Sequence, residues 1–358
     1  MYSSKKLKAY FLRLLTNTKT TKFDIKKARN ILFLRYDRIG DMVITTPVFR
    51  ELKREYPEIN ISVLASKVNQ TILDNNPYVD KVYINFKNNL LRDLPTLLKL
   101  RNKKYDVCVE FDHSVIPHSI ARLRIIKPKI IISVIKDGRY GVKGDELKLY
   151  DRFTDKPKDA HYRDIWLDTL RPFGVVPKSN EYDLYITDKQ EEFANTYLKQ
   201  YYPKCLIGIN LEGAVKGKRI QFVELERICK GLYQANNNIQ IIILTTPSNF
   251  QITTKKISKI ALNFVVTSFK TKSILDMAAL IKHLDLVITP DTSIVHIASA
   301  FNIPIVTIHE DNRDSHQLFA PTSKYSRTVF SEFSDRLDGY NVNKIIENSI
   351  NLIAKNEG

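Results

Sequence analysis

Three polar clusters, each directly after an apolar run, carry side chains suited to holding a phosphate or moving a proton. One lies in DLVITPDTSIVHIASAFNIPIVTIH, Asp285–His309. Its apolar runs, Leu286–Thr289 and Ile303–Ile308, have the length and Val/Ile content of parallel strands covered on both faces. Pro290 has no N–H for a ladder, so the first strand is expected to end at Thr289. Asp291, Thr292 or Ser293 then caps a short helix that carries His296. Ligands of open α/β sheets gather at the carboxyl ends of strands, where a helix N-terminus offers free N–H groups and positive dipole to an anion. This turn therefore joins a backbone phosphate cradle to the Asp291 carboxylate and two hydroxyls. Capping alone is the plainer role for Asp291 and Thr292, and a core position is the plainer one for His296.

A second cluster, GINLEGAVKGKRIQ (Gly208–Gln221), follows another apolar strand with three glycines and two lysines. Small residues permit close backbone approach to a phosphate and a lysine adds a point charge. A basic surface loop has the same composition. The third, RYDRIGDMVITTP (Arg35–Pro47), places Gly40 and Asp41 in the turn after the first strand. Asp41 suits the first turn of a helix, where a carboxylate complements the dipole. No G-x-G-x-x-G follows any strand, which argues against a nicotinamide or flavin dehydrogenase.

Taken as strings, these clusters say more. D-T-S-x-x-H ahead of A-x-A-x-x-x-P, and R-x-x-x-x-G-D ahead of T-x-P, resemble the lipopolysaccharide heptosyltransferase family, glycosyltransferase family nine, over about residues 30 to 330. The resemblance implies the GT-B architecture, two Rossmann-like doubly wound domains facing across a cleft. It implies an inverting transfer of a sugar, heptose from ADP-heptose, to a lipopolysaccharide core or related surface-glycan acceptor. Asp41 matches the family's proposed general base, which would take the proton of the attacking acceptor hydroxyl. Lys218 matches a lysine that contacts the nucleotide phosphates; Asn210, Gly213 and Ala214 would line the same pocket, with Thr292 and Ser293 opposite. Asp291 would bond sugar hydroxyls, and His296 would reach the same pocket. No D-x-D loop of the metal-dependent sugar transferases occurs, so no metal or other cofactor is expected.

Acceptor contacts are expected at the carboxyl edge of the N-terminal domain. Arg35, Asp112, His113 and Ser114 are candidates there, Asp112 having an Asx turn as its alternative. Lys87, Arg92, Arg139 and Lys143 are candidates for acceptor phosphate or carboxylate groups. The chain departs from the family at HEDNRD after Ile308, where many relatives have a Gly-Pro-Thr turn. TTPSNF, after Leu244, lacks the acidic residue some relatives place near the ribose.

The elements that must position these residues alternate. Strands are expected at Ile31–Arg35, Ile59–Leu64, Lys81–Ile84, Asp106–Phe111 and Ile130–Val134, with helices at Met42–Tyr56, Val68–Asn75 and Leu90–Arg101. Residues 135–160 read as a long charged loop, and a helix at His161–Phe173 leads to a linker, GVVPKSNEYD. The second half repeats the alternation, with strands at Leu184–Ile186, Leu206–Asn210, Ile239–Leu244, Phe264–Val266, Leu286–Thr289 and Ile303–Ile308, and a last helix at Val342–Ala354. Two right-handed parallel α/β domains follow, at residues 30–175 and 176–335, flanked by an arm (1–29) and a terminal helix segment (336–358).

Composition sets the outer bounds. The 358 residues, 43% hydrophobic and 27% charged, suit two ordinary soluble domains. Three scattered cysteines without a CxxC exclude a disulfide framework and a zinc site. With neither a secretory signal nor an apolar run long enough to span a bilayer, the cytoplasm is the expected compartment. Of the net charge of +17, residues 1–29 carry +8, from nine Lys or Arg and one Asp. Leu7, Tyr10, Phe11, Leu14 and Leu15 fall at helical spacing among these bases, the pattern of an amphipathic helix lying on an anionic inner-membrane surface. A helix packed on the body has that pattern too. The rival functional class is a non-catalytic basic protein binding nucleic acid or another anionic polymer; without any nucleic-acid-binding motif, nucleic acid is not an expected partner.

Overall fold

The computed structural model describes residues 2–16, 22–86, 89–213 and 217–356. The chain divides into two compact units, Met1–Glu181 and Tyr182–Gly358.

The first unit runs α1 (Tyr2–Thr16), β1 (Asn30–Arg35), α2 (Ile39–Glu55), β2 (Asn60–Ser66), β3 (Lys81–Asn85), α3 (Leu90–Asn102), β4 (Val107–Glu110), α4 (Pro117–Ile126), β5 (Ile130–Val134), β6 (Arg152–Thr154) and α5 (Tyr162–Leu167). Its six strands are all parallel, in the order β3-β2-β1-β4-β5-β6. Ile31, Leu32, Phe33 and Leu34 are buried without alternation, as a central parallel strand covered on both faces requires. Asp106 fixes how β1 enters the sheet: its Oδ2 accepts the N–H groups of Arg29 and Asn30 at 2.8 and 3.0 Å, and Lys129 Nζ donates to Oδ1 at 2.7 Å.

The second unit runs α6 (Asp188–Leu198), β7 (Cys205–Asn210), α7 (Phe222–Ala235), β8 (Ile239–Leu244), α8 (Phe250–Ile260), β9 (Val265–Thr267), α9 (Ile274–Ile281), β10 (Leu286–Pro290), α10 (Ser293–Ala300), β11 (Ile305–His309), α11 (Arg313–Phe319), β12 (Ser326–Phe330) and α12 (Val342–Asn356). Its strands are also all parallel, in the order β12-β11-β10-β7-β8-β9. Counted from its own first strand, this is the order of the first unit again. Each is the doubly wound order in which the chain reverses direction across the sheet between its first and fourth strands, here β1/β4 and β7/β10. α12 closes the unit, burying Val342, Ile345, Leu352 and Ile353 in one core with β7, β8 and β10.

Local structure corrects several expectations. Val68–Asn75 forms only a 3₁₀ turn, Gln70–Leu73. Leu184–Ile186 is not a strand. Pro290 is the last residue of β10, in register with Ile308, and the next amide, Asp291 N–H, donates to Ile308 O. The ladder tolerates proline there because it is the final position of the strand. Helix α4 and strands β6 and β12 are further elements, β6 falling inside the expected long loop. α1 turns Ala9 and Leu12 into the core with α4, so Tyr10, Phe11, Leu14 and Leu15 face outward. Among the described residues no helix is long and apolar enough to cross a membrane.

Candidate functional site

In the first unit the switch point is lined by the ends of β1 and β4. Asp41 stands in the first turn of α2; its Oδ2 accepts the Arg38 amide at 3.1 Å, the helix-capping role. Its Oδ1 faces Arg35 Nη2 at 3.5 Å. Arg35, the last residue of β1, is almost wholly buried. It donates from Nε to the Asp41 carbonyl at 3.2 Å and from Nη1 to Asp37 Oδ2 at 3.1 Å, and its guanidinium lies 3.7 Å over the Trp166 ring. Arg35 thus braces the Asp41 turn from below.

His113 stacks on Tyr162 with ring centroids 3.9 Å apart, and its Nε2 accepts from Trp166 Nε1 at 3.4 Å. Burial, with the Arg35, Lys156 and Lys136 charges, pushes His113 down to about 2, so the ring is neutral at physiological pH. Tyr162 and Trp166 form the floor of this edge, and sequence inspection did not single them out. Their i, i+4 spacing in HYRDIW puts both on one helix face, a signal shared with any core helix.

Asp112 is partly buried and belongs to a polar chain. Ser119 Oγ donates to Asp112 Oδ2, and the Tyr36 hydroxyl meets Ser119 Oγ. Next to it, Lys136 Nζ donates to Glu110 Oε2 at 2.5 Å and to the Asp112 carbonyl at 2.6 Å, both charged groups fully buried. Burial and then the Glu110 charge raise Asp112 well above the carboxylate range. Ser114 bridges Asp137 through the backbone. Arg92 and Arg139 are exposed and stack on Phe86 and Tyr140, at 4.4 and 4.9 Å. Lys143 is also exposed. Lys87 lies outside the described residues.

The second unit's switch point gathers the donor-side candidates. Asn210, ending β7, donates from Nδ2 to Thr289 Oγ1 at 3.0 Å and Thr292 Oγ1 at 3.2 Å, tying the β7 turn to the β10 turn. Thr292 is the N-cap of α10, its Oγ1 accepting the Ile294 amide at 3.3 Å, with half-buried Ser293 next to it. The loop after β7 folds back on itself. A Cβ on Gly213 would sit 1.2 Å from the Lys218 carbonyl oxygen, so only glycine fits, and Gly217 takes φ +95°. Ala214 lies outside the described residues. His296 is buried, its ring between Tyr182 and Phe319.

Lys218 meets the Glu310 carboxylate in an ion pair. His309 lies between Glu310 and Asp291, with Nδ1 2.8 Å from the Glu310 carbonyl and Nε2 3.5 Å from Asp291 Oδ2. Burial would raise Asp291, yet His309, His296 and Lys218 hold it below the usual carboxylate range; Asp291 in turn raises His309 against the opposing effect of burial. His309 and Glu310 stand where the sequence departs from the Gly-Pro-Thr turn, and were not among the expected site residues.

The comparisons with known proteins bear on the fold and the family. Glycosyltransferase family 9 (heptosyltransferase) matches residues 97–338. A putative lipopolysaccharide heptosyltransferase 4 of Escherichia coli (strain K12) is 23% identical over 343 residues, covering 91% of this chain and 88% of that protein. Two solved structures share the fold. A glycosyltransferase family 9 protein of Veillonella parvula superposes with TM-score 0.75 at 15% identity, covering 93% of this chain and 99% of its own. The E. coli ADP-heptose lipopolysaccharide heptosyltransferase II superposes with TM-score 0.71 at 16% identity, covering 92% and 100%. Two parallel α/β units of one strand order, with the R-x-x-x-x-G-D and D-T-S-x-x-H turns at their switch points, are thus the frame of a heptosyltransferase-like glycosyltransferase, and the chain belongs to glycosyltransferase family 9.

Proposed function

We propose that this enzyme transfers heptose from ADP-heptose to a lipopolysaccharide core or related surface-glycan acceptor, with inversion at the anomeric carbon. The observation that carries the reading is the pairing of turns: a carboxylate at the β1/β4 edge, and a lysine with a helix N-terminus at the β7/β10 edge. Asp41 accepts the proton of the acceptor hydroxyl as that oxygen attacks the anomeric carbon and the nucleoside diphosphate leaves. Arg35 holds the Asp41 turn in place. Lys218 and the amino end of α10 stabilise the negative charge that grows on the departing diphosphate. Asp291 receives sugar hydroxyls. Arg92 and Arg139 remain exposed for the anionic groups of the acceptor.

A membrane-facing role for α1 belongs to the same reading. Tyr10, Phe11 and Leu14 are 63%, 52% and 58% exposed on the helix surface turned away from the core, and Lys5, Lys6, Lys8 and Arg13 share that helix. Such a surface suits the anionic inner face of the cytoplasmic membrane, where a lipid-linked acceptor is presented.

The direct test is a thermal-shift comparison of ADP, UDP, GDP, CDP and ADP-heptose. A ligand of the folded state raises Tm by mass action. Stabilisation by ADP and ADP-heptose above the other nucleotides is expected; no shift with any of the five would overturn the donor site.

A further inference from the structure

We infer that α3 docks on an anionic bilayer and that the basic pocket at its carboxyl end receives the phosphate of an anionic phospholipid headgroup. The pocket stands before β4 and β5, at the amino edge of the first sheet, whereas Asp41 follows β1 at the other edge. α3 leaves an apolar stripe exposed. Its Leu97 and Leu100 enter one core with Leu123 of α4 and with Ala9 and Leu12 of α1. On the outer side Leu91, Leu94 and Leu98 recur at helical spacing, 85%, 39% and 46% exposed. The same spacing continues into Arg101 and Asn102. There the stripe meets a surface pocket of about 520 Å³ lined by Arg101, Asn102, Lys104, Tyr105, Lys127 and Lys129.

Charge selects the partner. The only acid of α3, Asp93, is buried against Arg122, so the exposed side carries Arg92, Lys99 and Arg101 without a carboxylate. In the pocket Lys129 is tied to Asp106, while Arg101, Lys104 and Lys127 enter no ion pair among the described residues. Lys127 ends α4 and Lys104 follows the end of α3, both in left-handed backbone, φ +52° and +51°. Glycine or asparagine would end a helix there with less strain; lysine at both positions adds two cations to one pocket. Helix dipoles account for a cation at each end, but not for the leucine stripe that leads to them. Leucines beside bases are what an interfacial helix presents, the apolar side chains entering the acyl boundary and the cations meeting phosphates. α4 packs against both α1 and α3, and all three cover one face of the first sheet. The exposed Tyr10, Phe11 and Leu14 of α1 therefore turn to the same side as the α3 stripe. This deepens the membrane-facing reading of α1 and rests on it for the nature of the surface; the α3 contact and the headgroup pocket are separate from α1.

The test is co-sedimentation of the full-length protein with vesicles of phosphatidylcholine alone and of phosphatidylcholine with an equal part of phosphatidylglycerol. Binding is expected with the anionic vesicles and not with the neutral ones. Lys104→Gln combined with Lys127→Gln should weaken it by about tenfold or more, and Leu91→Ser combined with Leu98→Ser by about tenfold. Both pairs are exposed, so circular dichroism should match the wild type. Loss of vesicle binding in Tyr10→Ser with Phe11→Ser, while both α3 variants bind like the wild type, overturns the α3 site and keeps the α1 reading. No binding by the wild-type chain removes both. A leucine variant that binds vesicles normally but loses self-association in analytical ultracentrifugation makes the stripe a contact between copies and overturns the inference. Saturable binding of soluble glycerol 3-phosphate, with vesicle binding unchanged in the lysine variant, assigns the pocket to a free phosphate and overturns the lipid.

Discussion

The Arg35 guanidinium stacks on the Trp166 ring with 3.7 Å between Cζ and the ring centroid, while its edge faces Asp37 and Asp41. A flat cation can stack and bond two directions at once; an ammonium cannot. Arg35→Lys is therefore expected to lower kcat by about a hundredfold through misplacement of Asp41, with ADP affinity unchanged. Steady-state kinetics beside ADP calorimetry would check this. A change confined to KM would assign Arg35 to acceptor binding and not to positioning.

Asp41→Asn keeps the shape of the turn but cannot take a proton. Turnover should fall by about 10²–10⁴-fold, and thermal stabilisation by ADP should persist because the proposed ADP site lies at the other sheet. Wild-type turnover in this variant would remove Asp41 from its role as base.

Glu110 and Asp112 are neighbouring carboxyls with different surroundings. Lys136 is fully buried in an ion pair with Glu110, while burial and the Glu110 charge push Asp112 towards its neutral form. Asp112→Asn resembles the neutral acid and should change stability by less than about 1 kcal/mol. Glu110→Gln strands a buried ammonium and should cost about 3–5 kcal/mol. Urea unfolding at neutral pH compares the two; equal costs would contradict the assignment.

Lys218 should matter for phosphate and not for base. Lys218→Ala is expected to weaken ADP binding by about 1.5–3 kcal/mol, the worth of a charge-assisted hydrogen bond, with little effect on adenosine. Calorimetry with both ligands tells whether the lysine reads the diphosphate; equal losses would place its effect on the loop fold, where Gly213 and Lys218 already touch.

Asp106 gives stability a definite pH dependence. Burial would raise it, but the Lys129 ammonium and the Arg29 and Asn30 amides hold its pKa below the unfolded value. The unfolded chain then binds the proton more readily, so this stabilisation is present above about pH 4 and is lost as pH falls through the folded pKa. Asp106→Asn should destabilise the protein at pH 7 by about 1–3 kcal/mol and flatten the acid limb of stability against pH. Parallel acid limbs in chemical denaturation of the two proteins would locate the acid sensitivity elsewhere.

Much of this enzyme was determined by sequence alone, because the relevant signals are local. Apolar runs at Ile31–Leu34 and Leu206–Ile209 specify buried parallel strands, and the Asp41, Gly213 and Thr292 turns declare themselves through capping chemistry and glycine demand within a few residues. Tertiary structure decided what depends on neighbours distant in the chain. Strand order brings Asn210 to Thr292 across 82 positions and Arg35 to Trp166 on α5. It also buries Glu110 against Lys136, pins His113 under Tyr162, and chooses Ala9 and Leu12 over the bulkier Tyr10 and Phe11 for the inward side of α1. His309 and Glu310 show the division most sharply. In sequence they are a departure from a familial turn; in the fold the adjacency of β10 and β11 sets them against Asp291 and Lys218, and proximity of that kind has no periodicity by which a sequence can announce it.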